Sequence, residues 1–429
     1  MRYIPLDNSI YKRNRLNFMD QMKGNCMAIF NSNDIYPVSA DSELPFAQHR
    51  DMFHLAGIDQ EETILILYPS SKDSKTREIL FIRRSDEHTK IWEGDKLSKD
   101  LASKLSGIES IHFVEDFKNI LHLITSKVDT FYINKNEHYR ANSPVETRED
   151  RFISWLLKKY PAHKVAKSNP ILQRLRSIKH IDEIDQIRKA CQITKKGFNR
   201  VLKFIKPDVW EYQIEAEFIH EFINNSSKGF AYSPIIASGQ DNNVLHYVKN
   251  NKQCKDGELI LMDVGAEYGN YSSDMTRTIP VSGHFSKRQK EIYNTVLRVK
   301  NEATKLLTVG NNWKNFHDQV GEIMTKELLD INLLDKADIK NQTKKNPAYK
   351  KYFMHGTSHH LGLDTHDYGL LDDLFQENMV FTVEPGIYIP EEGFGVRLED
   401  DVVIQTKGEP INLMEDIPIE TDHIEELMN

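Results

Sequence analysis

Cysteine is scarce: Cys26, Cys191 and Cys254 stand far apart among 429 residues and form no CxxC pair. That spacing excludes a zinc knuckle and a disulfide framework, and it fits a reducing cytoplasm. Long apolar runs are missing as well. The stretch Ile64-Leu65-Ile66-Leu67-Tyr68 is far too short to cross a bilayer, and the opening MRYIPLDNSIYKRNRL lacks the apolar region of a signal peptide. The expectation is a protein neither secreted nor membrane-anchored. Basic excess is absent too, because 56 Lys and Arg face 64 Asp and Glu for a net charge of -8. General nucleic-acid binding needs the opposite sign.

What remains is a soluble globular composition, with 39% apolar and 28% charged residues and no enrichment of Gly or Pro. One hydrophobic core stops growing at roughly 250 to 300 residues, so a chain of this length predicts two domains. The boundary falls near Pro170, after the polar stretch PAHKVAKSNP, giving segments 1-171 and 172-429. In the first, ETILILYPS (62–70), REILFIRR (77–84) and DTFYIN (129–134) read as strands, and EDRFISWLLKKY (149–160) reads as a helix. This is a mixed α/β domain without an evident catalytic cluster.

The second segment opens on a helix from Asp182, with acids in its first turn and lysines late, and a second helix follows in WEYQIEAEFIHEFINN. Strand signals come next, in ELILMDVGAEYGNYSSDMTRTIPV (258–281). Then the order restarts: helices in SKRQKEIYNTVLRVKNEATKLL and FHDQVGEIMTKELLDI, strands in MVFTVEPGIYIP and GVRLEDDVVIQ. Two helices followed by strands, twice, predict an α/β (α+β) domain of two similar halves, an expectation that rests on element order alone.

Several polar residues terminate apolar strands. Asp263 ends LILMD and Asp274 follows the Gly-containing turn AEYGNY, so a hairpin would set the two acids side by side. Either acid alone reads as a turn cap, but burying both unpaired would cost several kcal/mol each. Glu384 precedes Pro385, which favours an extended backbone, and Arg397 and Glu399 share a strand face as residues two apart. The run HGTSHHLGLDTHD (355–367) adds four histidines. His355 and His359 are four apart, yet no HExxH pattern is present, and Gly356 and Gly362 argue for turns rather than helix. Taken singly, each of these histidines reads as a hydrogen-bonded structural residue. Together, four carboxylates and a histidine make a hard, oxygen-rich set suited to Mn²⁺ or a similar ion, and two such ions close together could activate water for hydrolysis.

The succession DVGAEYGNYSSDMTRT, HGTSHHLGLDTHD, FTVEPGIYIP, GVRLEDDVVI resembles the pita-bread metallopeptidases, most closely their Xaa-Pro aminopeptidase (aminopeptidase P) branch. These motifs span Gly229 to Ile404, and DMFHLAGIDQEETILILYP (51–69) with TKIWEGDKL is similar to that branch's N-terminal, creatinase-like domain. The resemblance implies a C-terminal pita-bread domain and a hydroxide bridging two divalent metals, Mn²⁺ by preference. It assigns Asp263, Asp274, His359, Glu384 and Glu399 as metal ligands and Glu384 also as proton carrier. It places His246, His355 and His366 in the substrate pocket and makes Arg397 a brace. His360 stands where the family pattern has an aromatic or aliphatic residue and is read as a bystander. The implied substrates are peptides with proline second; independently of the resemblance, the cysteine usage points to the cytoplasm, and a homodimer or higher homo-oligomer is the expectation for a large soluble enzyme. Two other readings share the fold: a prolidase restricted to dipeptides, and an inactive pita-bread domain that only binds peptides, which typically lacks metal ligands that are all present here.

Overall fold

The computed structural model describes residues 1–141 and 143–429. The chain divides into two compact units, Pro5–Arg176 and a second made of Ser177–Asn429 with Met1–Ile4. The dividing point lies inside the helix Asn169–Ser177.

The unit Pro5–Arg176 is built on a six-stranded sheet. Its strands are β1 (Cys26–Asn31), β2 (Ile64–Leu67), β3 (Glu78–Ile82), β4 (Ser110–Phe113), β5 (Thr130–Ile133) and β6 (Lys164–Lys167), in the order β4-β3-β2-β1-β5-β6. Only β2 runs against the others, as its antiparallel pairing with both β1 and β3 requires. Alternate residues of a strand point to opposite faces, so each sheet face takes its own helices. Ala28, Phe30, Leu65 and Leu80 pack with α1 (Asn8–Gln21), α2 (Arg50–Ala56) and α3 (Lys99–Ser106). Met27, Ile29, Ile66 and Phe81 pack with α4 (Phe117–Thr125) and α5 (Arg148–Lys159). The three strands and the helix read from sequence lie at β2, β3, β5 and α5. Strands β1, β4 and β6 were not foreseen; β4 has one buried residue in four and β6 is largely exposed, so neither offers a strong apolar signal.

The second unit repeats one order twice. Helices α6 (Ile181–Phe204) and α7 (Glu211–Asn224) precede strands β7 (Ile235–Ser238), β8 (Leu259–Val264) and β9 (Met275–Pro280). Helices α8 (Lys287–Lys305) and α9 (Trp313–Asp330) precede β10 (Val380–Val383), β11 (Gly386–Ile389), β12 (Phe394–Arg397) and β13 (Asp400–Val403). The His180 side chain caps α6 while the Glu183 carboxylate accepts from the His180 backbone N–H, and acids at its start suit the helix dipole. Strands β8 and β9 pair antiparallel, with Asp263 opposite Thr276. The excursion between them turns at Gly269 (φ 60°) and Asn270 (φ 70°), the two left-handed residues that a tight hairpin asks for. Gly265 admits no side chain, because a Cβ there would lie 1.8 Å from the carbonyl oxygen of Ser273. That close approach keeps the end of β8 against the start of β9.

One buried acid of the first unit titrates against the fold. Glu149 on α5 accepts from the backbone N–H of Asn31 at 2.9 Å and from Asn31 Nδ2 at 3.1 Å, and burial pushes its carboxyl up to about 8. Between its ordinary value of 4.5 and about 8 the folded chain keeps a proton that the unfolded chain has lost, so stability falls as pH rises through that window. Glu149→Gln keeps both contacts once the Asn31 amide turns over, and it removes the titration. Urea unfolding at pH 5 and pH 8 should show the parent losing more stability than Glu149→Gln by on the order of 2–4 kcal/mol, whereas equal losses would contradict this account.

Candidate metal centre

Strand ends of the second unit supply the site. Asp263 is the penultimate residue of β8 and Asp274 immediately precedes β9; Glu384 follows β10, and Glu399 lies between β12 and β13. The histidine segment runs as an extended chain beside β10, not as a helix. His359 accepts at its carbonyl from the Thr382 N–H at 3.0 Å, and Leu361 and Glu384 donate backbone bonds to Val380 and Thr357.

These acids are held at close quarters by neutral and cationic donors. The Tyr232 hydroxyl lies 2.5 Å from both Asp263 Oδ1 and Asp274 Oδ1. Arg397 donates to Asp263 Oδ2 at 2.6 Å, to the Tyr388 hydroxyl at 2.9 Å and to Thr276 Oγ1 at 3.2 Å. Thr276 in turn donates to Glu399 Oε2 at 2.7 Å. His359 Nε2 faces Asp274 Oδ2 at 3.5 Å and Glu384 Oε1 at 3.7 Å. Its Nδ1 lies 2.9 Å from the carbonyl of His360, which can only accept, so the proton sits on Nδ1 and the Nε2 lone pair points at the carboxylates.

Electrostatics then decide what the cluster requires. Burial, followed by the charge of Asp263, raises the Asp274 carboxyl well above its ordinary range; burial and Asp274 do the same to Glu399. Glu384 is raised by burial to about 7, against the pull of His359 and Arg397. The neighbouring Asp400 shows the contrast. Burial works to raise it, yet Arg277 at 2.6 Å and Lys300 overcome that and hold it below the usual carboxylate value. The chain thus supplies two cations to Asp400, while among the described residues neither Lys nor Arg pairs with Asp274 or Glu399. Ligand atoms of Asp274, His359 and Glu399 all lie within 4.8 Å of one another. Oxygen-rich donors, a deprotonated imidazole nitrogen and uncompensated negative charge fit divalent cations.

The other expected residues fall in three places. His355 is close: its Nε2 is 2.8 Å from the Tyr388 hydroxyl, and burial with the charge of Arg397 pushes it down to about 3, so it is neutral. The His366 ring meets the His359 ring edge-on, with centroids 4.4 Å apart. His246 is exposed on the loop beyond Gly239–Asn243. His360 points away from the acids into an aromatic box, 5.5 Å from Trp313 and 4.5 Å from Phe381, with no hydrogen-bond partner for its Nδ1 among the described residues. Tyr232, Thr276, Tyr388 and Asp401 belong to the site and were not singled out from sequence. Tyr388 was within reach, four residues beyond Glu384 on the hairpin; a lone tyrosine in GFAYSP carries no such signal.

Asp401 acts on the backbone: its Oδ2 accepts from the Asp274 N–H at 3.0 Å, and the Cys191 thiol donates to the same oxygen at 3.4 Å. Asp274 is therefore held by a carboxyl group behind it as well as by Tyr232 in front.

Known proteins resemble this chain in sequence and fold. Residues 185–406 match the model of metallopeptidase family M24, and residues 11–132 match the aminopeptidase P N-terminal domain. The Xaa-Pro aminopeptidase of Escherichia coli is 32% identical over 97% of this chain and 97% of its own length. Human Xaa-Pro aminopeptidase 3 is 32% identical, covering 92% of this chain and 79% of that one. Among solved structures, zinc-substituted E. coli aminopeptidase P in complex with product superposes with a TM-score of 0.89 at 30% identity, over 99% of both chains. Proline aminopeptidase P II from Yersinia pestis matches to the same extent, with TM-score 0.89, 30% identity and 99% of both chains covered. With the family model matching 222 of 429 residues (185 to 406) and relatives a third identical over nearly the whole length, the chain belongs to metallopeptidase family M24, in its aminopeptidase P branch.

Proposed function

We propose that this chain is a metal-dependent aminopeptidase that removes the first residue of a peptide when proline is second. The observation that carries the reading is the uncompensated carboxylate cluster around His359 Nε2; the preference for proline comes from the named activity of the relatives. Asp263, Asp274, His359, Glu384 and Glu399 would hold two divalent cations, with Mn²⁺ favoured by the predominance of oxygen donors. Bound there, the cations supply Lewis acidity and bring a water within reach of deprotonation near neutral pH.

The protein's own groups account for the rest. Glu384, at the mouth of the cluster and followed by Pro385, accepts the proton of the attacking water and delivers it to the departing proline nitrogen. Like any amide nitrogen it leaves only once a proton is provided, and as a tertiary amide it carries no N–H in the substrate. Neutral His355, steadied by Tyr388, and His366 beside His359 line the space for the substrate, and His246 is available to the carbonyl oxygen as charge develops there. Arg397 fixes Asp263 and Tyr388 together, so its part is to hold the acids in place. No helix among the described residues is long and apolar enough to cross a membrane. A cytoplasmic location and a homodimer or larger assembly complete the reading.

Stripping with chelator and restoring Mn²⁺ should abolish and then recover release of arginine from Arg-Pro-Pro; no metal-dependent release would sink the proposal. Ala-Pro-Ala should be cleaved as well as Ala-Pro, and an intact tripeptide would make the protein a prolidase instead. Replacement separates the adjacent histidines. His359→Ala should lower metal content and cut activity by about 100-fold or more, while His360→Leu should leave metal content at the parent level. Equal metal loss in both variants would contradict the assignment.

A further inference from the structure

A second concave site lies within the unit Pro5–Arg176, far in sequence from every residue of the metal cluster. It is a cavity of about 490 Å³, within the size range of small-molecule sites. Asn31 ends β1, Ile64 begins the antiparallel β2, and Val114 and Glu115 follow β4, so the cavity opens at the carboxyl edge of the parallel strands. Ligands of open α/β sheets favour that edge, where the loops diverge.

Its lining pairs an aromatic wall with one unmatched cation. Phe117, Phe152 and Trp155 pack on one another, with ring centroids 5.8 to 6.4 Å apart. Most charged groups at the rim are already engaged. Arg151 takes both oxygens of Asp34 at 2.8 Å, Glu115 lies 3.4 Å from Arg84, Glu62 lies 4.0 Å from Arg83, and Lys118 rests over the Trp155 ring at 5.5 Å. Arg148 differs. It is half-buried, donates to Ser32 Oγ at 3.3 Å, and has no ion pair among the described residues. Glu149 beside it does not close on it, because both Glu149 oxygens are taken by Asn31. A guanidinium partly removed from water and left without an acid gains from a planar anion that it can bind through two N–H groups. A dianion such as phosphate would meet Glu62 and Glu115 on the same rim; a single carboxylate would not be opposed to that extent.

We propose that this cavity binds a carboxylate attached to an aromatic group, with the carboxylate on Arg148 and the ring against Phe117, Phe152 and Trp155. The chemistry is shared by a free aromatic acid and by a peptide that ends in an aromatic residue. The proposal does not depend on the peptidase reading.

Calorimetric titration of the full chain with 3-phenylpropionate tests it, alongside the neutral 3-phenylpropionamide, inorganic phosphate and N-acetyl-Gly-Phe, whose blocked amino end makes it no aminopeptidase substrate. The acid should bind and the amide should not, and Arg148→Gln should weaken the acid at least about tenfold. Binding of N-acetyl-Gly-Phe to the parent but not to Arg148→Gln identifies a peptide C-terminus as the source; its failure to bind leaves the free acid. Should Arg148→Gln not fold, Trp155→Leu replaces it, with the same loss expected. No binding of the acid, equal binding of acid and amide, tighter binding of phosphate, or affinity unchanged in the variants overturns the proposal.

Discussion

Mutual repulsion among buried carboxylates is the constraint around which the second unit is arranged. Asp274 and Glu399 are almost wholly buried, and Asp263 and Glu384 stand beside them with little more exposure. Burial first, and then the charges of the neighbouring acids, push Asp274, Glu384 and Glu399 upward, because a medium of low polarizability disfavours the ionised forms. Among the described residues the chain contributes one guanidinium, Arg397, and the neutral hydroxyl donors of Tyr232 and Thr276, while His359 turns a lone pair toward the acids. What is missing is positive charge, and divalent cations are the form in which it fits between oxygen ligands.

The surrounding framework keeps that arrangement from relaxing. One residue beyond Glu399, Asp400 is locked to Arg277 and Lys300, and Arg277 also donates to the carbonyls of Glu399 at 2.6 Å and Pro418 at 3.0 Å. The backbone of Glu399 is thus anchored by a fully matched ion pair while its side chain is left unmatched. Asp401 performs the same service for Asp274 through a backbone N–H. Adjacent acids in GVRLEDDVV therefore do opposite things: Asp400 and Asp401 tie strands together, and Glu399 projects into the cluster. Removing a partner from a buried pair leaves an uncompensated charge that commonly costs about 3–5 kcal/mol, so the anchoring residues are as constrained as the candidate ligands.

Much of this was legible in the sequence because the acids follow apolar strands. LILMD and MVFTVE announce a carboxylate delivered at a strand end; the expectation that Arg397 and Glu399 share a strand face did not foresee that the strand stops at Arg397 and leaves Glu399 in the link to β13. Convergence was less legible, since it is produced by the β8–β9, β10–β13 and β11–β12 pairings and by the bonds that join Arg397 and Glu399 to Thr278 and Thr276 of β9, which no local pattern encodes. Within HGTSHHLGLDTHD, the residue types alone did not separate His359 from His360. The separation comes from register beside β10, which turns one ring toward Asp274 and the next toward Trp313 and Phe381. Tyr232 was illegible for the same reason: its contact with two aspartates depends on chain segments more than thirty residues apart. In the first unit, β4 and β6 expose much of their surface and carry too little hydrophobic pattern to be read, whereas buried β2 of the same length was read; β1, six residues and wholly buried, was missed all the same.

If cations complete the second unit, they must stabilise it in proportion to their number. Urea unfolding of the chelator-treated protein at increasing free Mn²⁺ measures this directly. Two ions bound only by the folded chain raise the unfolding free energy, at saturation, by about 2.7 kcal/mol for each tenfold rise in free Mn²⁺. A dependence of about half that would mean a single ion, and a stability indifferent to Mn²⁺ would contradict the claim that the carboxylate cluster is built around metal.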